Sequence, residues 1–315
     1  SFPTVARGRR SPRGAGRASV SPPRGASFAR MPAVPPDRRD DAVHMRRALR
    51  LAARGAGHVS PNPLVGCVLV KDGRVVGEGW HQAYGGPHAE VHALRAAGWA
   101  ARGATAYVTL EPCNHHGKTP PCVDALLAAG VRRVVVAVPD PNPVAAGGLA
   151  RLRAAGVEVA VGVGADEARE LLAPFLWDVA GGGRPWVTLK LATSLDGAIA
   201  DHTRGPGWLT GPEARRHVHR LRAAHDAVAV GIGTAHADDP ALTVRDVPDG
   251  AIPRVPPLRV VFDRGARLGL ESALVRTVAE APVAVVCGPD APADRVGALA
   301  AAGVRVLRAA DLPDG

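Results

Sequence analysis

Two short motifs, a Pro-His-Ala-Glu-Val-His stretch and a loop between two cysteines, constrain this chain most strongly because their side chains have to meet in space. The first motif offers the imidazole of His88 and, two residues later, the carboxylate of Glu90. The second offers the thiols of Cys113 and Cys122, with eight residues between them. One imidazole and two thiolates are three protein ligands for a tetrahedral zinc ion, which keeps its fourth position for water. We therefore predict a zinc site here, with Glu90 beside the water as a proton carrier.

Other interpretations of these residues stay open at this point. The two motifs could be unrelated helix starts, and Cys113 and Cys122 could form a disulfide, although the neighbouring His-x-Glu favours a metal. His92 lies four residues after the first ligand, but the ligand set is complete without it. We expect it to be a core residue or to support a ligand. Cys67 and Cys287 lie in apolar runs and are expected to be buried free thiols.

Length and charge set broad limits. The 315 residues allow about two domains, and no apolar run reaches the ~18 residues of a membrane span. The net charge of +10 is concentrated in residues 1–39, which hold nine arginines and one aspartate. We expect this segment to be a disordered basic extension, with an organelle transit peptide as the alternative. The rest has little positive excess, so no nucleic-acid partner is indicated, and a reducing cytoplasm suits the cysteines.

Strand and helix patterns alternate along the remaining chain and predict an α/β fold. Predicted helices cover residues 40–54, 88–95, 122–129, 146–155, 167–179, 212–224 and 293–301. Predicted strands cover residues 65–71, 74–79, 105–110, 133–138, 157–161, 186–191, 227–230, 259–262, 282–286 and 304–307. The Gly-Gly-Gly-Arg-Pro run at residues 181–185 breaks the pattern. We therefore predict one domain over residues 40–183 and a second over residues 184–315.

Five stretches closely resemble one known family. They are residues 62–66, 87–94, 109–122, 140–143 and 189–197, and the family is the bifunctional riboflavin-biosynthesis deaminase/reductase. The His-Gly-Lys-Thr-Pro-Pro segment between the cysteines is the most specific of them, because it separates this family from tRNA and cytidine deaminases. The resemblance covers residues from about 40 onward. It implies a cytidine-deaminase-like three-layer sandwich followed by a dihydrofolate-reductase-like α/β domain.

The resemblance also implies two activities. The first half would remove an amine from a diaminopyrimidinone phosphoribosylamine with zinc, while Glu90 moves protons from hydroxide to the ring and to ammonia. The second half would reduce the ribosyl group to ribityl with NADPH. Positions that match the deaminase's substrate contacts are Asn62, His81, His115, Lys118 and Thr119. Positions that match nucleotide contacts are Ala192, Trp208, Thr234 and Asp238, and those that match the reductase's substrate contacts are Arg222, Leu242 and Arg245. Lys190 is a proton donor, a ribose contact or an ordinary solvent-facing lysine.

The chain departs from the family pattern in three places. Pro206 stands where the family usually has a serine that touches substrate, and Gly147-Gly148 lies in a segment one residue shorter than usual. The chain also ends before a Glu-Gly-Gly segment that closes the nucleotide site. We therefore expect an incomplete reductase domain with impaired reduction.

The expected partners are a phosphoribosylated pyrimidine and, at full length, a second copy of the chain, with no membrane. The alternatives are a nucleoside or tRNA deaminase and a non-catalytic scaffold held by zinc. A structural zinc site has no need for a carboxylate two residues from a ligand, so Glu90 distinguishes a catalytic zinc site from a non-catalytic scaffold.

Overall fold

The first half is built on a five-stranded sheet. The computed structural model describes residues 39–199, 209–248 and 252–309. In this half the strands are β1 (Gly66–Lys71), β2 (Arg74–Trp80), β3 (Thr105–Leu110), β4 (Arg133–Val138) and β5 (Glu158–Val161). Their order is β2-β1-β3-β4-β5, with β1 antiparallel to both of its neighbours and the remaining pairs parallel. The Asp72-Gly73 turn between β1 and β2 has positive φ at both residues, 50° and 74°, as a two-residue hairpin of this type requires.

Helices cover both faces of this sheet. They are α1 (Arg39–Ala52), α2 (Ala89–Ala97), α3 (Cys122–Ala128), α4 (Gly148–Ala154) and α5 (Ala165–Val179), with short 3-10 helices at Ala53–Gly55 and Gly98–Ala101. Met45 of α1 and Leu172 of α5 are buried in the core on one face. Ala93 of α2, Leu126 of α3 and Leu152 of α4 are buried in the core on the other face. The predicted three-layer sandwich is therefore confirmed.

A buried ion pair fixes the first helix to the sheet. Both carboxylate oxygens of Asp41 accept hydrogen bonds from the Arg133 guanidinium at 2.8 Å, and the Tyr107 hydroxyl donates to one of them at 2.9 Å. The side chains of Asp41 and Arg133 are 5 % and 11 % exposed. Since 92 residues separate the two partners, this pair joins the beginning of α1 to the beginning of β4.

Strand direction decides where polar side chains collect. Because β1 is antiparallel to β2 and β3, strands β2 to β5 all run in one direction. Residues that follow β2, β3 and β4 therefore lie at one end of the sheet, as do the residues that precede β1. His81 follows β2, Glu111 follows β3, and Asp140 lies two residues after β4. This end of the sheet holds the candidate site.

The second half is built on a parallel sheet. Its elements are α6 (Pro212–Ala223), β6 (Ala227–Gly231), α7 (Ile232–Asp238), β7 (Leu258–Phe262), α8 (Ala273–Arg276), β8 (Val283–Cys287), α9 (Ala293–Ala301) and β9 (Arg305–Arg308). The strand order is β6-β7-β8-β9.

Arg259 is fully buried in this half, and its guanidinium donates to the carbonyl oxygens of Ala241, Thr277 and Ala281. No helix in the part of the chain described here is long and apolar enough to cross a membrane.

The structure corrects one prediction in this half. The strand predicted over residues 186–191 is wrong, because this segment has no regular secondary structure. Its apolar residues alternate as in a strand, but among the described strands none pairs with it, so Val187 and Leu189 stay 77 % and 79 % exposed. The predictions for residues 1–38, for Pro206 and for Trp208 lie outside the described residues.

Candidate metal centre and substrate pocket

Three elements bring the predicted ligands together. His88 is the N-cap residue of α2, Cys122 is the first residue of α3, and Cys113 lies in the loop that follows β3. Nδ1 of His88 is 3.2 Å from Sγ of Cys122 and 3.5 Å from Sγ of Cys113. The three ligand atoms all lie within 4.8 Å of one another. A tetrahedral zinc with ordinary bond lengths needs N···S edges of roughly 3.6 Å, so this donor set fits zinc.

The two thiols differ in their readiness to ionise. A hydrogen bond with the Cys122 thiol, helped by a second one with His88, lowers the pKa of Cys113 to about 4. The same thiol–thiol hydrogen bond, together with burial, raises the pKa of Cys122. A bound metal ion would favour the thiolate form of both residues. All four cysteines are free, so the alternative of a Cys113–Cys122 disulfide is not what the structure shows.

Glu90 lies beside this cluster in the first turn of α2. Its side chain is buried, and its carboxyl group interacts electrostatically with His88 and Cys113. Burial, and after it the negative charge of Cys113, raises the pKa of the Glu90 carboxyl. A carboxyl group that takes up a proton more readily than usual is suited to carrying protons during a reaction. His92 is not one of the clustered ligand residues.

His81 and Asn62 form a pair with defined hydrogen-bond roles. Nδ1 of His81 lies 3.1 Å from the carbonyl oxygen of Pro87, which can only accept, so Nδ1 carries the proton. Nε2 of His81 is then an acceptor for the Asn62 side-chain amide at 3.1 Å. Burial, and after it the charges of His88 and His92, lowers the pKa of His81 and so favours this neutral form. The arrangement leaves the amide oxygen of Asn62 as an acceptor for a ligand.

A cavity of about 260 Å³ is lined by every predicted first-half site residue except Cys122, together with others that the sequence did not indicate. Its walls include His88, Cys113 and Glu90, and also all five predicted substrate contacts, which are Asn62, His81, His115, Lys118 and Thr119. Tyr84 and Phe175 line it as well, and Phe175 comes from α5, far along the chain. No motif or spacing signal marks either aromatic residue.

Glu111 secures the loop that follows β4. Its carboxylate accepts backbone N–H bonds from Asp140 at 3.2 Å and from Gly147 and Leu149 at 3.0 Å each. Gly148 lies very close to the loop that follows β3, since a Cβ on Gly148 would lie 2.0 Å from the Pro112 carbonyl oxygen. The Gly-Gly pair noted in the sequence therefore allows this loop to pack directly on the segment that carries Cys113.

In the second half, the structure brings together the three predicted reductase substrate contacts. Arg222 donates to the Thr243 carbonyl oxygen at 3.3 Å, and the Arg245 guanidinium lies 3.4 Å from the hydroxyl of the same threonine. Leu242 is buried next to Thr243 and has a φ of 54°. Burial, and after it the positive charge of Arg245, lowers the pKa of Arg222. Two guanidinium groups held close together would favour an anionic ligand.

The predicted nucleotide contacts are less complete. Thr234 and Asp238 are exposed and lie four residues apart on α7, so they share one face of that helix. Ala192 and Lys190 belong to the segment without regular secondary structure, and Lys190 is exposed. Since Trp208 lies outside the described ranges, these ranges supply only part of the expected set for NADPH.

Comparison with known proteins identifies both halves. The family model described as the cytidine and deoxycytidylate deaminase zinc-binding region matches residues 38–138, and that of the RibD C-terminal domain matches residues 185–314. The riboflavin biosynthesis protein RibD of Escherichia coli is 57 % identical over 206 residues, which cover 65 % of this chain and 56 % of that protein. The chain therefore spans little more than half the length of this relative.

Solved structures agree with this result. Acinetobacter baumannii RibD (form 1) is 45 % identical, with a TM-score of 0.72 over 85 % of this chain and 73 % of that one. A diaminohydroxyphosphoribosylaminopyrimidine deaminase/5-amino-6-(5-phosphoribosylamino)uracil reductase of Thermotoga maritima is 39 % identical, with a TM-score of 0.71 over 85 % and 80 %. The chain belongs to the RibD family of riboflavin biosynthesis proteins.

Proposed function

We propose that residues 40–183 form a zinc-dependent deaminase domain that acts on diaminohydroxyphosphoribosylaminopyrimidine. The observation that carries this proposal is the position of Glu90, which is buried beside the His-Cys-Cys cluster and lines the same cavity. A structural zinc site would not need such a carboxyl group. The substrate is the one named for the Thermotoga maritima relative, which shares 39 % of its sequence with this chain.

Each side chain in the cavity has a role that follows from its chemistry. His88, Cys113 and Cys122 would hold zinc, which supplies a Lewis acid that brings the pKa of water close to neutrality. The Glu90 carboxylate takes the proton of the attacking water and returns it to the substrate, so that the exocyclic nitrogen leaves as ammonia.

Outside the metal cluster, three further residues hold the substrate. The Asn62 amide oxygen accepts a hydrogen bond from the pyrimidine. Lys118 and Thr119, which also line the cavity, bind the phosphoribosyl part.

We further propose that residues 184–315 belong to an NADPH-dependent reductase domain that acts on the deaminated product. The match of residues 185–314 to the RibD C-terminal domain supports this. The pair of Arg222 and Arg245 beside Leu242 supports an anionic substrate group there. NADPH oxidation in the presence of the deaminated product, compared between the chain and its Arg222→Met variant, measures this activity directly.

The deaminase proposal is tested by ammonia release from the phosphoribosylated diaminopyrimidine. The zinc-loaded chain should release ammonia, and the same sample treated with a chelator should not. Glu90→Gln should reduce the rate by on the order of 10²–10⁴-fold while zinc content is unchanged. Cys122→Ser should lose zinc and activity together. If Glu90→Gln releases ammonia at the rate of the unaltered chain, the assigned proton carrier is wrong.

A further inference from the structure

Two glycine-containing segments form one wall of the deaminase cavity. Residues 84–86, from the loop after β2, and residues 117–119, from the loop between the cysteines, both line it. The ammonium nitrogen of Lys118 lies 3.8 Å from the centroid of the Tyr84 ring. This distance is well within the range of a cation–π contact, in which a positive charge is attracted to the electron-rich face of an aromatic ring. The two segments are therefore connected through this pair.

Gly85 allows the lysine side chain to lie across the loop. Its φ is +77°, a backbone conformation that favours glycine, and a Cβ at this position would lie 3.4 Å from Cδ of Lys118. The methylene stem thus packs against the Gly85 backbone while the ammonium group rests on the neighbouring ring. Tyr84 itself is held in place independently of the lysine, because its backbone N–H donates to the His58 carbonyl oxygen at 3.0 Å.

The contact leaves the charge of Lys118 available. Within the described ranges, Lys118 makes no ion pair and no hydrogen bond, so no carboxylate neutralises it. An aromatic ring attracts an ammonium group without accepting its N–H bonds in the way a carboxylate does. The three N–H donors can therefore still bind a phosphate oxygen. A lysine without such support would have to lose the freedom of four rotatable bonds when it binds the same group.

We propose that Tyr84 is a positioning residue whose ring holds the Lys118 ammonium group in place for the phosphate of the deaminase substrate. This inference rests on the proposed deaminase function. Tyr84 does not act on the reacting atoms, so it should affect substrate binding and leave the chemical step unchanged. Because the pair is partly exposed to solvent, the loss of the ring should weaken phosphate binding about two- to fivefold.

The test compares five variants of the zinc-loaded full chain by steady-state ammonia release. Tyr84→Leu should raise KM two- to fivefold with kcat unchanged, and Tyr84→Phe, which keeps the ring, should behave as the unaltered chain does. In a Lys118→Met background, Tyr84→Leu should have no further effect on KM. Trp99→Leu, which removes a 97 % exposed aromatic ring outside the cavity lining, is the matched control and should change neither parameter.

Two further measurements decide the outcome. Removal of the substrate's phosphate should abolish the difference between Tyr84→Leu and the unaltered chain. A lower kcat in Tyr84→Leu, an unchanged KM, or an effect that persists in the Lys118→Met background would overturn the proposal. If the unaltered chain releases no ammonia, calorimetric binding of ribose 5-phosphate replaces the kinetic test. Weaker binding by Tyr84→Leu alone would then support the positioning role while the deaminase function fails, and no binding by any variant would overturn both.

Discussion

Glu111→Gln should destabilise the first half by about 3 kcal/mol. The Glu111 carboxylate accepts hydrogen bonds from three backbone N–H groups, and an amide nitrogen in place of one oxygen cannot accept such a bond. One carboxylate oxygen accepts from Gly147 and Leu149, and the other accepts from Asp140. If the glutamine oxygen takes the first position, its NH₂ group must face the Asp140 N–H. One hydrogen bond to a charged group, worth about 1.5–3 kcal/mol, is then lost, and the two that remain are weakened because their acceptor is neutral.

The assay is urea unfolding of the zinc-loaded chain, together with hydrogen exchange of peptides that cover residues 140–149. We expect a lower free energy of unfolding and faster exchange at the amides of Gly147 and Leu149. Glu170→Gln is the matched control, since Glu170 is an exposed residue of α5 in the same half and should change stability by less than about 0.5 kcal/mol. If Glu111→Gln is as stable as this control and its loop exchanges no faster, the argument that Glu111 secures the loop is refuted.

Three further predictions concern packing, charge and the irregular segment at the beginning of the second half. Gly148→Ala should cost about 1–3 kcal/mol, because its Cβ would lie 2.0 Å from the Pro112 carbonyl oxygen, and thermal unfolding should show the loss. Asp41→Asn should cost about 3 kcal/mol in urea unfolding, since it removes the buried carboxylate that accepts two Arg133 hydrogen bonds and leaves that guanidinium only its ion pair with the exposed Glu158. Limited proteolysis with chymotrypsin should cut within residues 186–199 before it cuts at any site in the first half. The exposed apolar side chains of this segment and its lack of strand pairing leave it accessible to the protease. Mass spectrometry of the fragments identifies the first cleavage site.

Matched controls separate these effects from general damage. Gly297→Ala adds the same methyl group where no atom lies within 4 Å, so it should not destabilise the protein. Asp178→Asn removes an exposed carboxylate at the end of α5 and should change stability by less than about 0.5 kcal/mol. A loss in either control as large as in its partner variant would contradict the packing or charge argument. First cleavage within residues 40–183 would contradict the proteolysis prediction.

Local patterns were sufficient for much of the first half. The Asp72-Gly73 turn was readable because the hairpin requires positive φ at both positions, which Asp and Gly tolerate. The cluster of zinc ligands could be predicted from the sequence, because zinc chemistry favours His and Cys side chains as ligands. The Asp41–Arg133 ion pair could not be predicted from the sequence, since its members lie 92 positions apart and no spacing rule relates them. The same applies to Tyr84 and Phe175, whose place in the cavity follows only from how the loop after β2 and helix α5 pack.

The error over residues 186–191 has a related physical cause. Alternating apolar residues show that a segment can form a strand, but a strand also needs a neighbouring edge to accept its hydrogen bonds. Pairing of this kind is a property of the whole sheet and cannot be read from six residues. Strands β6 to β9, by contrast, were predicted correctly, and each of them has a partner in the parallel sheet.

The wrong strand prediction does not change where the expected nucleotide contacts on α7 lie, because their position depends on the direction of the other strands. Since β6, β7 and β8 are parallel, the residues that follow them must lie at one edge of the second sheet. In open α/β sheets, ligands bind at this carboxyl edge. Helix α7, which carries Thr234 and Asp238, begins directly after β6 and therefore starts at that edge. The expected nucleotide contacts on α7 thus depend on the order and direction of β6 to β8, which the structure shows, and not on the strand that failed to form.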